Sequence, residues 1–346
     1  MEKILGIDLQ TWWFLVIGGA FSAYAMLDGF DLGAGALHLF LKKEDSRRTA
    51  LNAIGPVWDG NEVWLVISGG ALFAGFPAAY ATSLSAMYVP FIFLFLGLIW
   101  RGVAIEFRNK EPMKWWRKTW DIIYTFSSAS IAFTLGLILG NVIFGLEFNA
   151  DGDFTGHFLD LFNPYSLITG VTALALFMVH GAVYLSLKTE GRLFTKLSIM
   201  IKRFVIFFII SFALQAMATI IFIPYIAERL RHNPVLLIFP LITVLSIANI
   251  TRLIAKRKYR IAFFFSSLTI ASMFGLVALA LYPNLLVSSS TTIHNITIYN
   301  GASSNATLRT LLLIASIGTP LVLAYTTFVF WTFKGKTKAT DSGPGH

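Results

Sequence analysis

Nine stretches of mostly apolar residues, each long enough to cross a lipid bilayer as a helix, run through this 346-residue chain. A hydrocarbon core about 30 Å thick needs about 20 such residues. Lipid offers no partner to a backbone N–H or C=O, so each stretch must satisfy its own backbone as helix. The expected spans are Thr11–Leu41, Pro56–Phe76, Tyr80–Ile105, Trp120–Phe148, Pro164–Leu187, Phe204–Ile226, Val235–Ile254, Ile261–Leu281 and Leu308–Phe333. The chain is 56% hydrophobic and only 13% charged, against about 25% charged in soluble domains. A soluble enzyme, a disordered chain and a nucleic-acid-binding domain are thereby excluded. The first stretch does not read as a signal peptide: it is too long, lacks a basic leader and holds two aspartates. The absence of cysteine removes disulfides, Cys-ligated zinc, iron–sulfur clusters and C-x-x-C-H haem attachment.

The net charge of +9 is mostly topology. Basic residues gather after the first, third, fifth, seventh and ninth stretches, as in Lys42, Lys43, Arg47 and Arg48, or Lys334, Lys336 and Lys338; 23 fall on that side and 4 on the other. Lys and Arg resist translocation, so the expected N-terminus is outside and the C-terminus cytoplasmic, as an odd number of spans requires. The loops are short, and residues 1–346 read as one polytopic, all-α integral membrane domain packed as helix bundles.

Ionisable groups inside spans carry the information, because an Asp at a helix centre costs roughly 2.5–3.5 kcal/mol on insertion scales. Asp28 and Asp31 in span one are three apart and share a helix face. Counted to Leu41, Asp28 falls near mid-membrane. Gly29 and Gly33 between and beyond them form a G-x-x-x-G that lets another helix approach closely. Span two opens with Trp58-Asp59-Gly-Asn61-Glu62-Val-Trp64, a second carboxylate pair at the same spacing. Each pair serves either as a proton relay or cation site, or as an inert polar clamp between helices. Arg101 and Glu106, near the inner end of span three, read as side chains that snorkel to the interface. His180 is the histidine well inside a span, and it reads as a hydrogen-bonded structural residue. A P-loop match around Lys336 fails because Phe330 stands where its first Gly belongs. No motif for covalent chemistry is present, so no catalytic residue is expected on this chain. A secondary transporter that binds a coupling ion through these carboxylates is the alternative function. Transporters show paired halves, whereas these carboxylates cluster in the first third.

Asp28-Gly-Phe-Asp31-Leu-Gly, followed by Gly-Pro-Val-Trp58-Asp59-Gly-Asn61-Glu62-Val-Trp64, closely resembles subunit II of the cytochrome bd-type quinol oxidases, including their cyanide-insensitive branch. Gly69 through Pro77, Arg101 with Glu106-Phe-Arg108, Trp116 through Asp121, and His180 through Gly191 extend the resemblance along the chain. It implies nine spans and a place in the bacterial or archaeal cytoplasmic membrane. It also implies a haem-bearing subunit I as partner, with haems b and d, or b alone, on that partner and none ligated here. The activity implied is quinol oxidation coupled to reduction of oxygen to water. The family admits a bound structural quinone and a small single-helix accessory subunit. By resemblance Asp59 belongs to a proton pathway from the cytoplasm, with Glu62, Asp28 and Asp31 beside it, and Trp64 to an oxygen-access route. Trp58, Asn61, Arg101, Glu106 and His180 are then structural or interface polar residues. Many homologues have Gln where this chain has Glu62.

Overall fold

The computed structural model describes residues 3–149, 151–289 and 291–337; Lys338 and His346 lie outside the described residues. A two-residue hairpin, β1 (Lys3–Ile4) with β2 (Ile7–Asp8), leads into α1 (Leu9–Ala36). The Asp8 carboxylate caps α1 by accepting the Thr11 N–H at 2.8 Å, a partner for one of the helix's unpaired first donors. A 3-10 turn (His38–Phe40) and the short α2 (Glu44–Ile54) follow. Next come α3 (Trp58–Gly75), α4 (Pro77–Ala86), α5 (Tyr88–Phe107), α6 (Lys114–Phe144), α7 (Pro164–Lys188) and α8 (Gly191–Phe222). The chain continues through α9 (Pro224–His232), α10 (Ile238–Ala255), α11 (Tyr259–Leu281), the paired strands β3 (Asn284–Leu286) and β4 (Ile296–Thr297), and α12 (Asn305–Thr332).

Among the described residues eight helices are long and apolar enough to cross a membrane, and α3 with α4 qualifies only as a pair bent by 119°. The expected second span, Pro56–Phe76, is therefore represented by α3 and its bent junction with α4. Phe76 leaves helical geometry (φ −135°, ψ 65°), and Pro77 brings no N–H to continue the α3 ladder. The expected span Tyr80–Ile105 is corrected accordingly: its first residues belong to α4, Met87 is a second break, and the crossing helix is α5. Span six starts earlier than hydropathy suggests, at Gly191, because Arg192, Lys196, Lys202 and Arg203 lower hydropathy without breaking a helix. Span one ends earlier, at Ala36 rather than Leu41.

α1 packs against α3, α6 and α7; α6 lies between α5 and α7; α7 also meets α8 and α11, and α10 pairs with α11. α1 meets α7 along a seam, and the expected close approach at Gly29 and Gly33 is made there. A Cβ on Gly33 would stand 1.8 Å from the Phe177 carbonyl oxygen, and one on Gly181 2.4 Å from the Ala34 nitrogen. The backbones themselves touch, as small residues permit in membranes. α12 leans on α1 and α3 and leaves Leu313, Ile317, Leu321, Phe328 and Trp331 exposed.

Candidate polar cluster at one end of the bundle

Three helices bring their charges to one depth. Asp28 lies eight residues before the end of α1, Glu62 four residues after the start of α3, and Arg101 six residues before the end of α5. At 1.5 Å per residue these are about 12, 6 and 9 Å from the same end of the bundle. Measured to Ala36 instead of Leu41, Asp28 lies about 12 Å from the helix end, close to half the roughly 30 Å thickness of a hydrocarbon core.

Arg101 is the centre. Its guanidinium donates to both oxygens of Asp28, at 2.9 and 2.7 Å, and to Glu62 Oε2 at 2.9 Å. Its charged carbon also lies 5.9 Å from the centre of the Trp58 ring, within reach of a cation–π attraction. Arg101 is 1% exposed and Asp28 fully buried. The snorkelling expectation for Arg101 is overturned. A two-pronged guanidinium matches a carboxylate in a fixed plane, and a buried partner on α1 holds it inward more strongly than the interface draws it out. Asn61 donates to Asp31 Oδ2 at 2.8 Å and to the Leu27 carbonyl at 3.3 Å, which attaches the second aspartate of α1 to α3.

The carboxylates do not form a single group. Asp28, Asp31 and Glu62 converge around Arg101 and Asn61, whereas Asp59 is exposed on the outer side of α3. Glu62, with 24% of its side chain exposed, stands between the two environments. Trp64 is buried, in register with Asn61 and Ser68 on the side of α3 that meets α1. Glu106 is half-buried, one turn beyond Arg101 on α5.

His180 on α7 has both ring nitrogens engaged. Nε2 meets the Met26 carbonyl at 2.9 Å, Nδ1 meets the Ser266 hydroxyl at 2.7 Å, and the ring stacks on Phe263 with centroids 4.7 Å apart. A neutral imidazole has one donor and one acceptor nitrogen, and both are used here. A haem iron would have to displace one of these bonds, so His180 does not fit an axial ligand. No group of three or more His, Cys, Asp or Glu suited to a metal ion occurs among the described residues.

A second ionic cluster went unread in the sequence. Asp121 of α6 binds His38 Nε2 at 2.6 Å, Arg108 Nε at 2.6 Å and Arg47 at 2.9 Å, and Arg108 also donates to Glu44 at 3.0 Å. Arg108 and Asp121 are each 1% exposed. In sequence Arg47 counted as a topological charge, and Arg108 and Asp121 as separate positions of the family resemblance with nothing to join them. Asp121 lies 13 residues beyond Arg108 in a separate helix, and no local spacing connects them.

The comparisons with known proteins agree with this architecture. Residues 9–333 match the family described as cytochrome bd terminal oxidase subunit II. Cytochrome bd-I ubiquinol oxidase subunit 2 of Escherichia coli strain K12 is 31% identical, covering 96% of each chain. Cytochrome bd ubiquinol oxidase subunit 2 of Bacillus subtilis strain 168 is 32% identical over 94% of this chain and 96% of that one. A chain of the bd oxidase structure from Geobacillus thermodenitrificans superposes with a TM-score of 0.78 over 94% of this chain and 98% of its own, at 19% identity, and shows the shared fold. A family match over nearly the whole length, joined to two near-full-length relatives and this fold, places the chain in the cytochrome bd terminal oxidase subunit II family.

Proposed function

We propose that this chain is the haem-free half of a bacterial membrane quinol oxidase, paired with a haem-bearing subunit I, and that α3 passes protons toward that partner. The observation that carries the reading is the arrangement of α3. Asp59 faces outward, one turn from Glu62, which is partly exposed and bonded to the buried Arg101–Asp28 pair. A carboxylate on an outer helix face, backed by a buried charge network, can take a proton from water and offer it to a neighbouring subunit. The one guanidinium of Arg101 neutralises one carboxylate, and Asp28, Asp31 and Glu62 surround it, so the cluster has capacity for protons. Haem in subunit I supplies the redox chemistry, and reduction of oxygen to water consumes protons. Family membership does not favour the transporter alternative.

The termini are assigned outside and inside by the basic loops, which puts the Asp59 end of α3 on the cytoplasmic side. Trp64 belongs to this reading as the lining of an apolar oxygen route along the α1-facing side of α3. Quinol is the electron donor of the assembled complex; a structural quinone and a single-helix accessory subunit belong to the same family reading.

Asp59→Asn in the assembled complex tests the proposal. Turnover at saturating quinol is expected to fall by at least tenfold, with the haem absorption spectrum unchanged. Unchanged turnover removes Asp59 from proton supply. Trp64→Arg is expected to raise the apparent KM for oxygen more than it lowers the maximal rate, measured by oxygen-electrode titration.

A further inference from the structure

The contact between α1 and α6 buries more polar atoms than the protein itself satisfies. Asp31 and Gly35 are one turn apart on α1, and His38 continues the same side in the 3-10 turn. Tyr124 and Ser128, one turn apart on α6, face them. Gly35 permits the contact: a Cβ there would lie 2.1 Å from Ser128 Oγ and 3.1 Å from Tyr124 Cζ. The rings of His38 and Tyr124 meet edge-on with centroids 5.1 Å apart.

These four side chains are at most 2% exposed. Three of their atoms, Asp31 Oδ1, His38 Nδ1 and Ser128 Oγ, have no hydrogen-bond partner among the described residues. The opposite atoms of two of them are held firmly: Asp31 Oδ2 by Asn61 at 2.8 Å and His38 Nε2 by Asp121 at 2.6 Å. The side chains therefore cannot swing away to find other partners. Buried polar atoms without a protein partner are rare, and ordered water commonly completes them. A buried water typically makes about three hydrogen bonds to such atoms. Asp31 Oδ1, Ser128 Oγ and His38 Nδ1 offer such bonds, and Tyr124 lies against both Gly35 and the His38 ring.

We propose that the α1–α6 contact binds a short file of water molecules between Asp31 and His38, and that the two residues exchange a proton along it. The proposal rests on the reading of this chain as a proton-handling subunit, but its route is separate from Asp59. When Asp31 gives up a proton, its O–H bond breaks and the electron pair stays on the carboxylate. Each water or hydroxyl in the file accepts one proton and passes on another. The last proton forms an N–H bond with the Nδ1 lone pair of His38, and the resulting imidazolium faces Asp121 through its Nε2–H. The reverse transfer restores the start, and no electron moves. Asp28, Glu62, Arg101 and Tyr184 surround the Asp31 end; Asp121, Arg47 and Arg108, with Glu44 behind it, surround the His38 end.

The test uses the assembled oxidase and infrared difference spectra between its oxidised and reduced forms. The Asp31 carboxyl band is assigned by its loss in Asp31→Asn. Water O–H signals are assigned by their shift in oxygen-isotope-labelled water. Ser128→Ala and Tyr124→Phe are each expected to shift the Asp31 band and remove a water signal, while Asp59→Asn leaves both in place. An Asp31 band and water signals unchanged in both variants overturn the file. If neither variant assembles, a map of the unmodified complex that resolves waters decides. Density within hydrogen-bond distance of Ser128 Oγ and Asp31 Oδ1 supports the file, and its absence overturns it. Asp59→Asn with normal turnover would remove the α3 route and leave this one standing, so the two readings fail separately.

Discussion

Arg101 shows how one side chain organises three helices. Its position on α5 gives it no partner within its own helix, and its bonds go to Asp28 on α1 and Glu62 on α3. Removing one side of a buried ion pair leaves an uncompensated charge and costs about 3–5 kcal/mol. Arg101→Gln is accordingly expected to lower the thermal unfolding midpoint of the complex sharply and to reduce its yield. Arg101→Lys is expected to recover part of the loss, since it keeps the charge and gives up the two-pronged geometry. Either variant with a wild-type melting curve would show that Asp28 finds another partner. Much of this cluster was legible in the sequence. Asp28, Asp31, Asn61 and Glu62 stood out because polar residues in an apolar run are costly. Arg101 was misread because a long cationic side chain six residues from a helix end can reach water or turn inward. Only the position of Asp28, 73 residues earlier, decides between the two. The His38–Asp121–Arg108 cluster was invisible for the same reason: its members come from separate elements.

At the scale of elements, the seam between α1 and α7 depends on two glycines. Gly33→Ala would drive a methyl group into the Phe177 carbonyl, and Gly181→Ala would meet the backbone at Gly33 and Ala34. Overpacking typically costs about 1–3 kcal/mol, and a collision with backbone lies at the upper end because backbone cannot change rotamer. Both variants are expected to melt earlier than wild type. Gly18→Ala, where an added methyl would meet nothing within 4 Å, is expected to melt at or slightly above the wild-type midpoint, since Ala is the better helix former. Calorimetry on the three variants checks the contrast. Hydropathy located the helices but not their joints. The breaks at Phe76 and Met87 are changes of dihedral angle inside apolar sequence, and the start of α8 is helical backbone under charged side chains. A measure of apolarity is blind to both.

For the whole molecule, helices that follow one another in sequence mostly pack together, as α5 with α6, α6 with α7, α7 with α8 and α10 with α11, while α1 reaches across to α7 and α12 lies against α1 and α3. The chain contains no cysteine, so single introduced cysteines report orientation without background. Asp45→Cys, in the exposed first turn of α2, is expected to react with a membrane-impermeant thiol reagent only from the cytoplasmic side. Asp151→Cys, in the loop between α6 and α7, is expected to react only from the outside. The reverse pattern would invert the assignment made from the basic loops. It would also move the Asp59 end of α3 to the wrong side for taking protons from the cytoplasm.

The pairing of Asp28 with Arg101 also sets a condition on how the chain is made. The ribosome adds roughly 5–20 residues per second, so α1 waits about 4–15 s before the arginine 73 residues downstream has been synthesised. During that interval a helix carrying two aspartates has neither its guanidinium nor, at first, its asparagine. Released alone into lipid, it would carry the full penalty of an unpaired acidic side chain. Delay of α1 beside the insertion machinery until α3 and α5 have joined it would spare that penalty, so these three helices are expected to enter the bilayer as a cohort rather than one at a time.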